Sequence, residues 1–494
     1  MKKVLIVGAG PVGLLAGCYL YKYNIAFDII DKNSESNTYS KALSVSPATI
    51  KAFHGLNISD KLVNKGRKVH SIQIYYKDRK FLNINNKYLP SCYRYHISIP
   101  QPETEKILEE FISNSGVYVK RGHKLISWTK ENGKYKVSIS DGNNNQYTSC
   151  YEYIIGADGA SSTVRDLAGI GFDGHDYNMH FIMADVLFES SINLPGTSYY
   201  IDDDGFLIFL PMPDNMVRVV IKKDGPLPSP RPTPDIDEIN YYLSKYCKKS
   251  GNAYKLIWSS SANFYNRIAE HNSKDNVFIA GDAFHLFSPI GGQGMNTGIQ
   301  DAINLSWKLA LYIKGKVRRA LLDTYSTQRF TAVGEVLQST DHDTMLIAGI
   351  VPKECIDPIY YPEFCNRNHY QSELPLKYSG FLASQKNTTT DLVGRHVPYF
   401  EFFSNQHDFN NSYDALSTGK VIIYSKRNDC PPLDRIKNKS DFIFCSLDES
   451  DCLSIEHIQF NSENYVVVNP DGYIDFSGKE DDLIEYLSAF YFME

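Results

Sequence analysis

Three stretches of this chain carry residue types whose spacing could do chemistry, and all three are built around glycine. The first is Gly8-Ala9-Gly10-Pro11-Val12-Gly13, a GxGxxG pattern directly after the apolar run 3–7. Glycine here permits a tight turn, lets backbone approach a pyrophosphate, and allows close helix–strand packing. The helix starting there would turn free N–H groups and the positive end of its dipole towards phosphate oxygens. Asp31 ends the second strand, where a carboxylate accepts hydrogen bonds from a ribose hydroxyl. Strand, glycines, helix and acid together predict a dinucleotide site. Gly169, Gly171 and Gly174 repeat the pattern. No strand leads into that copy and the polar run HDYN follows it, so it is not expected to bind a nucleotide.

The second stretch runs from Gly156 through Asp158, Gly159 and Ser162 to Arg165. The third runs from Gly281-Asp282 through His285 and Pro289 to Gly291-Gly292-Gln293-Gly294-Met295-Asn296 and on to Asp301. Asp282 ends a strand, where its carboxylate can hold a sugar-like chain or lie near a pyrophosphate. The glycines after it let backbone pass a flat ring without a Cβ clash. A helix begins at that loop, and its N-terminal dipole would favour negative charge on the ring.

Elements that could position these turns are legible along the chain. Residues 3–7, a helix to about Tyr23 and the strand 26–30 make a βαβ unit. A helix is expected near 102–114, strands through 153, and a further apolar strand at 153–157. The GNNNQ run at 142–146 predicts a hairpin turn. Residues 176–225 alternate as antiparallel strands do, and five prolines in 225–234 mark a loop. Helices are expected at 235–250, 294–314 and on to about 350. Residues 351–400 read as irregular. From about 389 strands and helices return, ending in an amphipathic helix at 480–491.

Composition narrows the function. At 494 residues the chain should hold about two to four domains. A net charge of −6 offers no global attraction to nucleic acid or to anionic membrane. No apolar run approaches the length of a membrane helix. Nine scattered Cys without a CxxC argue for a reducing, cytoplasmic setting and against a metal site or disulfide framework.

At the residues of the three stretches the sequence resembles the class A flavoprotein monooxygenases, the para-hydroxybenzoate hydroxylase family. Its length and C-terminal extension resemble the phenol and polyketide hydroxylase branch. The resemblance implies an α/β chain: a Rossmann-like FAD-binding domain, an inserted antiparallel-sheet substrate domain and a C-terminal thioredoxin-like α/β domain. The expected boundaries are 1–175 and 266–388 for the FAD-binding domain, 176–265 for the substrate sheet with a contribution from 70–100, and 389–494 for the last domain.

The same resemblance assigns FAD binding to Gly8, Gly10, Pro11, Val12, Gly13, Asp31, Lys32, Lys41, Gln101, Asp158, Gly159, Arg165, Gly281, Asp282, Pro289, Gly292, Gln293, Gly294, Met295 and Asn296. Lys41 stands where the family usually has Arg, and Ser161 where many members have Arg. Phe284 replaces a common Ala and would narrow the space near the ring. Pro289 and His285 are the catalytic-site candidates, His285 with a structural or flavin-proximal role favoured over a base. Tyr199, Phe206 and Phe209 are candidate lining residues of the roof over the flavin, with sheet core as their alternative.

The implied reaction is hydroxylation of a phenolic or polycyclic aromatic ring with NADPH or NADH and O2, through a flavin C4a-hydroperoxide. A Baeyer–Villiger-type or other tailoring oxidation, or non-catalytic flavin binding, remains the alternative. The single credible fingerprint argues for transient coenzyme docking. The absence of a GxWxWxIP segment argues against a halogenase. Cys430, Cys445 and Cys452 are not at CxxC spacing, which implies a structural or homodimer-associated role for the last domain.

Overall fold

The computed structural model describes residues 3–36, 42–77, 79–114, 116–189, 194–247, 251–347, 393–402, 407–447 and 464–493. Lys41, Cys452 and most of the irregular stretch 351–400 lie outside the described residues.

Strands β1 (Val4–Val7), β2 (Phe27–Asp31), β8 (Lys120–Arg121), β12 (Tyr153–Gly156), β18 (Ser273–Lys274) and β19 (Val277–Ile279) form one sheet in the order β18-β19-β12-β1-β2-β8. All pairs are parallel except β18 with β19. Period-2 alternation divides β1 between two cores. Val4 and Ile6 pack with helices α1 (Pro11–Lys22), α4 (Gln101–Ser113) and α7 (Gln293–Ile313). Leu5 and Val7 pack on the other face with α5 (Thr163–Ala168) and α8 (Arg319–Ile347). Burial on both faces is why β1 is continuously apolar. A meander of β9 (Lys124–Glu131), β10 (Lys134–Ser140) and β11 (Gln146–Tyr151) covers that second face; its turn is 141–145, and Gln146, expected in the turn, already pairs with Ser140.

A second, eight-stranded sheet stands over the glycine turns. It holds β5 (Ser71–Tyr76), β6 (Arg79–Asn85), β13 (Phe172–Phe188), β14 (Thr197–Asp202), β15 (Gly205–Pro211), β16 (Val217–Asp224), β17 (Ala253–Ala269) and β20 (His285–Leu286). Their order is β20-β17-β13-β16-β15-β14-β5-β6, antiparallel except for β14 beside β5. β20 lies within the third glycine stretch and pairs with β17, so this sheet is hydrogen-bonded to that stretch. Helix α6 (Ile236–Tyr246) seals the far face through Ile239 and Leu243.

Between the two sheets lies a small one of β3 (Ser44–Val45), β7 (His96–Ser98) and β4 (Arg67–Val69), in the order β3-β7-β4. Helices α2 (Pro47–His54) and α3 (Ser59–Lys65) connect β3 to β4. Gly169 closes α5 in the left-handed conformation and Gly174 lies inside β13, so the second GxGxxG copy is no strand-to-helix turn.

The last described segment is a sheet of β21 (Val421–Ser425), β22 (Phe442–Ser446), β23 (Tyr465–Val468) and β24 (Ile474–Gly478), with a helix at Glu480–Phe490. The order is β22-β21-β23-β24; β21 and β22 are parallel, the other pairs antiparallel. Its junction with α7 and α8 is polar and buried. Lys308 donates to Asn304 and Gln328, which donate in turn to Asp471 and Asp475. Burial pulls the Lys308 amine down to about 7.

Candidate active site

The glycine turns and the roof sheet enclose one cavity of about 1340 Å³. That exceeds the ~300–1,000 Å³ typical of a single small-molecule pocket. The volume therefore suits a dinucleotide together with a second molecule.

The first turn is shaped by close backbone approach. Gly8 has φ 104°, and a Cβ at Gly13 would run into the Gly8 carbonyl. Gly10 differs: it lines the cavity, and a Cβ there would meet no protein atom within 4 Å. The α1 N-terminus at Gly10 has no side-chain cap, which leaves N–H groups for an anion. Pro11 and Val12 also line the cavity; Gly13 lies behind them as packing. Asp31 accepts from the Ala9 N–H at 2.7 Å and the Asn33 N–H at 2.8 Å. A carboxylate has about four lone-pair sites, so Asp31 can still accept from the cavity it lines. Removing that carboxylate by Asp31→Ala should weaken FAD about tenfold, as the loss of a charge-assisted hydrogen bond would. A fluorescence titration of apoprotein with FAD checks this.

Lys32 lines the same end, and Gln101 lines it from the start of α4. Gln101 Oε1 accepts from the Ala42 N–H at 3.0 Å and Nε2 donates to Glu105 at 2.8 Å, which fixes the amide's orientation. Asp158 and Gly159 border the cavity between these two turns. Asp158 accepts from the Ser162 hydroxyl and from the Val164 N–H. Burial nevertheless raises its pKa, outweighing those bonds.

In the third stretch, Asp282, Pro289, Gly292, Gln293, Gly294 and Met295 all face the cavity. Gly291 and Gly292 have φ 82° and 66°, so the chain turns there in a conformation side chains disfavour. A Cβ at Gly294 would meet no protein atom within 4 Å, again an open approach for a ring.

Several expected ligand-contacting residues lie one layer behind. Arg165 donates to the Ala283 and Ala160 carbonyls and stacks on Phe172, tying the second stretch to the third. Asn296 donates to the Ser44 and Gly292 carbonyls and accepts from the Ser46 N–H, clamping β3 against the glycine turn. Gly281 packs on Val12 and donates its N–H to Asp301 at 2.9 Å. None of these three lines the cavity.

His285 is likewise not at the cavity wall. It is fully buried, its Nε2 2.7 Å from Asp301, whose other oxygen accepts from Arg329 at 2.6 Å. Burial alone would raise the Asp301 pKa; Arg329 and His285 outweigh it and hold the carboxyl below its usual range. His285 therefore belongs to a buried hydrogen-bonded cluster with Asp301 and Arg329, behind the cavity wall. Phe284 packs in the core against Phe330 and does not narrow the cavity.

Of the three roof aromatics, Tyr199 lines the cavity. Burial pushes its hydroxyl up to about 12, against a hydrogen bond with the Gly291 backbone. Phe206 and Phe209 do not line it. Phe206 packs on Phe181, and Phe209 faces the opposite side of the sheet against Phe188 and Tyr200. Apolar roof positions are instead Met183, Ile208, Leu210 and Val220. Arg218 also lines the roof, in a buried bidentate pair with Asp185 at 2.8 and 2.9 Å, 5.2 Å from the Trp258 ring. Asp185→Asn keeps the shape but removes the counter-charge. It should cost about 2 kcal/mol of stability, measurable by urea unfolding. The sequence offered no sign of this pair, because its two strands meet only through sheet register.

The open Gly10 approach, the uncapped helix, Asp31 and the Gly291–Gly294 turn fit FAD. The comparisons with known proteins agree. Residues 1–340 match the family described as FAD binding domain. A 6-methylpretetramide 4-monooxygenase of Streptomyces rimosus is 31% identical over 349 residues, 70% of this chain and 62% of that protein. The chain thus spans under two thirds of that relative's length. An uncharacterized aromatic compound monooxygenase of Bacillus subtilis is 26% identical over 96% of this chain and 93% of its own. The solved anhydrotetracycline hydroxylase of Streptomyces rimosus shares the fold with a TM-score of 0.80 at 23% identity, covering 99% of both chains. The chain belongs to the family described as FAD binding domain.

Proposed function

We propose that the chain hydroxylates a phenolic or polycyclic aromatic ring, using O2 and NADPH or NADH. The observation that carries this reading is the shared cavity: the FAD-fitting turns and a largely apolar roof line one continuous space of about 1340 Å³. FAD supplies hydride acceptance and oxygen activation when bound. The chain supplies the rest. The glycine turns and Asp31 hold the nucleotide. Pro289 and the Gly291–Gly294 turn, three of whose four residues are glycine, would give the ring edge a wall that backbone can approach closely. Met183, Ile208, Leu210 and Val220 exclude water from the space where substrate would lie. The relatives named for 6-methylpretetramide and for aromatic compounds support a ring substrate.

The FAD-binding domain in this reading is 1–175 with 266–388, and the substrate domain is 176–265 with 70–100. For 389–494 we infer a thioredoxin-like arrangement, supported by the strand order and by the closing helix. Cys430 and Cys445 are free and buried, which favours a structural role over thiol chemistry.

The test is NAD(P)H oxidation by FAD-loaded protein across a panel of phenols, with product mass. Oxidation stimulated by a ring that gains one oxygen supports the reading. An ester or lactone product would move the chain to Baeyer–Villiger chemistry.

A further inference from the structure

His96 belongs to none of the three glycine stretches, yet it lines the same cavity. It sits on β7, paired with Val69 of β4, and the residue is 8% exposed. Nδ1 lies 3.3 Å from the Ser44 hydroxyl, which fixes the ring plane. Ser44 is itself held, because its carbonyl accepts from Asn296. Among the described residues Nε2 has no protein partner, and it is not among the buried unpaired atoms, so its open side is the cavity. Burial lowers the imidazole to about 4, so the ring is neutral and offers one hydrogen bond without a charge. The lining beside it includes the apolar or aromatic Val69, Ile72 and Tyr199 and the polar Ser44 and Ser98. An unpartnered neutral polar atom that opens onto a partly apolar cavity can orient a ring by its oxygen.

We propose that His96 Nε2 is the substrate-reading group of this cavity and hydrogen-bonds an oxygen substituent, a phenolic hydroxyl or ring carbonyl, of the aromatic substrate. This rests on the ring-hydroxylase reading but is tested without turnover. The probes are 2-naphthol and naphthalene, titrated into FAD-loaded protein and followed by perturbation of the flavin absorbance. Wild type should bind 2-naphthol about three- to tenfold more tightly than naphthalene, the range of one net hydrogen bond. His96→Phe should erase that preference and leave naphthalene unchanged. His96→Gln, which keeps a polar tip, should restore part of it. Equal preference in wild type and His96→Phe would overturn the proposal, as would a wild type with no preference. Loss of FAD affinity in His96→Phe with the naphthol preference intact would also overturn it, and would place Nε2 against the cofactor. Failure of the hydroxylase reading shows separately, as absent ring-stimulated NAD(P)H oxidation by wild type.

Discussion

Gly10→Val is expected to fold like the wild type and to lose FAD. A side chain at Gly10 points into the cavity and meets no protein atom within 4 Å, and the residue's φ of −76° suits any amino acid. Folding stability should therefore change by no more than about 0.5 kcal/mol, as for an open surface position. The same side chain occupies the approach that a pyrophosphate needs, at the uncapped N-terminus of α1. Overfilling of that kind costs about 3 kcal/mol, or roughly a hundredfold in affinity. Thermal unfolding of the apoprotein and FAD titration separate the two effects. Gly13→Val is the contrasting control. Its Cβ would strike the Gly8 carbonyl, so the fold itself should suffer.

Arg329→Ala is expected to be the most damaging single change to stability. Asp301, Arg329 and His285 are all fully buried. Asp301 accepts at once from Arg329, His285 and the Gly281 N–H. Without Arg329 the carboxylate loses its strongest partner while remaining out of water, a loss of about 3–5 kcal/mol. Since Asp301 also holds the Gly281 turn, FAD retention should fall with stability. Urea unfolding and flavin content of the purified variant measure both. The cluster also sets an acid limit. The folded pKa of Asp301 lies below its unfolded value of about 3.9. Its contribution to stability is therefore present above about pH 4 and is lost as pH falls below that through the folded pKa. In Arg329→Ala this acid-sensitive component should shrink.

What the sequence made legible is what is local to it. The first turn could be read because strand, glycines, helix and acid follow one another within a single βαβ unit; Gly8 and Gly13 answer nearby backbone constraints and Gly10 leaves an open approach. The roof was harder because a strand's face is set by its partners. Ile208 and Leu210 face the cavity, while Leu207 and Phe209, on the same strand, pack with α6 and its neighbours. Alternation predicts two faces but does not say which one meets the ligand. Phe206 shares the inner face with Ile208, yet it sits against Phe181, away from the open space. His285 was read as site-proximal from its place in the loop. It is held instead through Asp301, whose other partner, Arg329, lies on α8, which no spacing rule connects to the loop. Asp301 was within the motif from the start, but only the fold reveals it as the pin of that cluster.

The most direct test is a crystal structure of the chain with FAD and a phenolic ring. The pyrophosphate should lie at Gly8–Gly10, the ribose at Asp31, and the flavin edge at Pro289–Gly294 with one face open to Tyr199 and Ile208. Density for FAD elsewhere, or a flavin ring with both faces sealed by packed side chains, would contradict the shared cavity on which the reading rests.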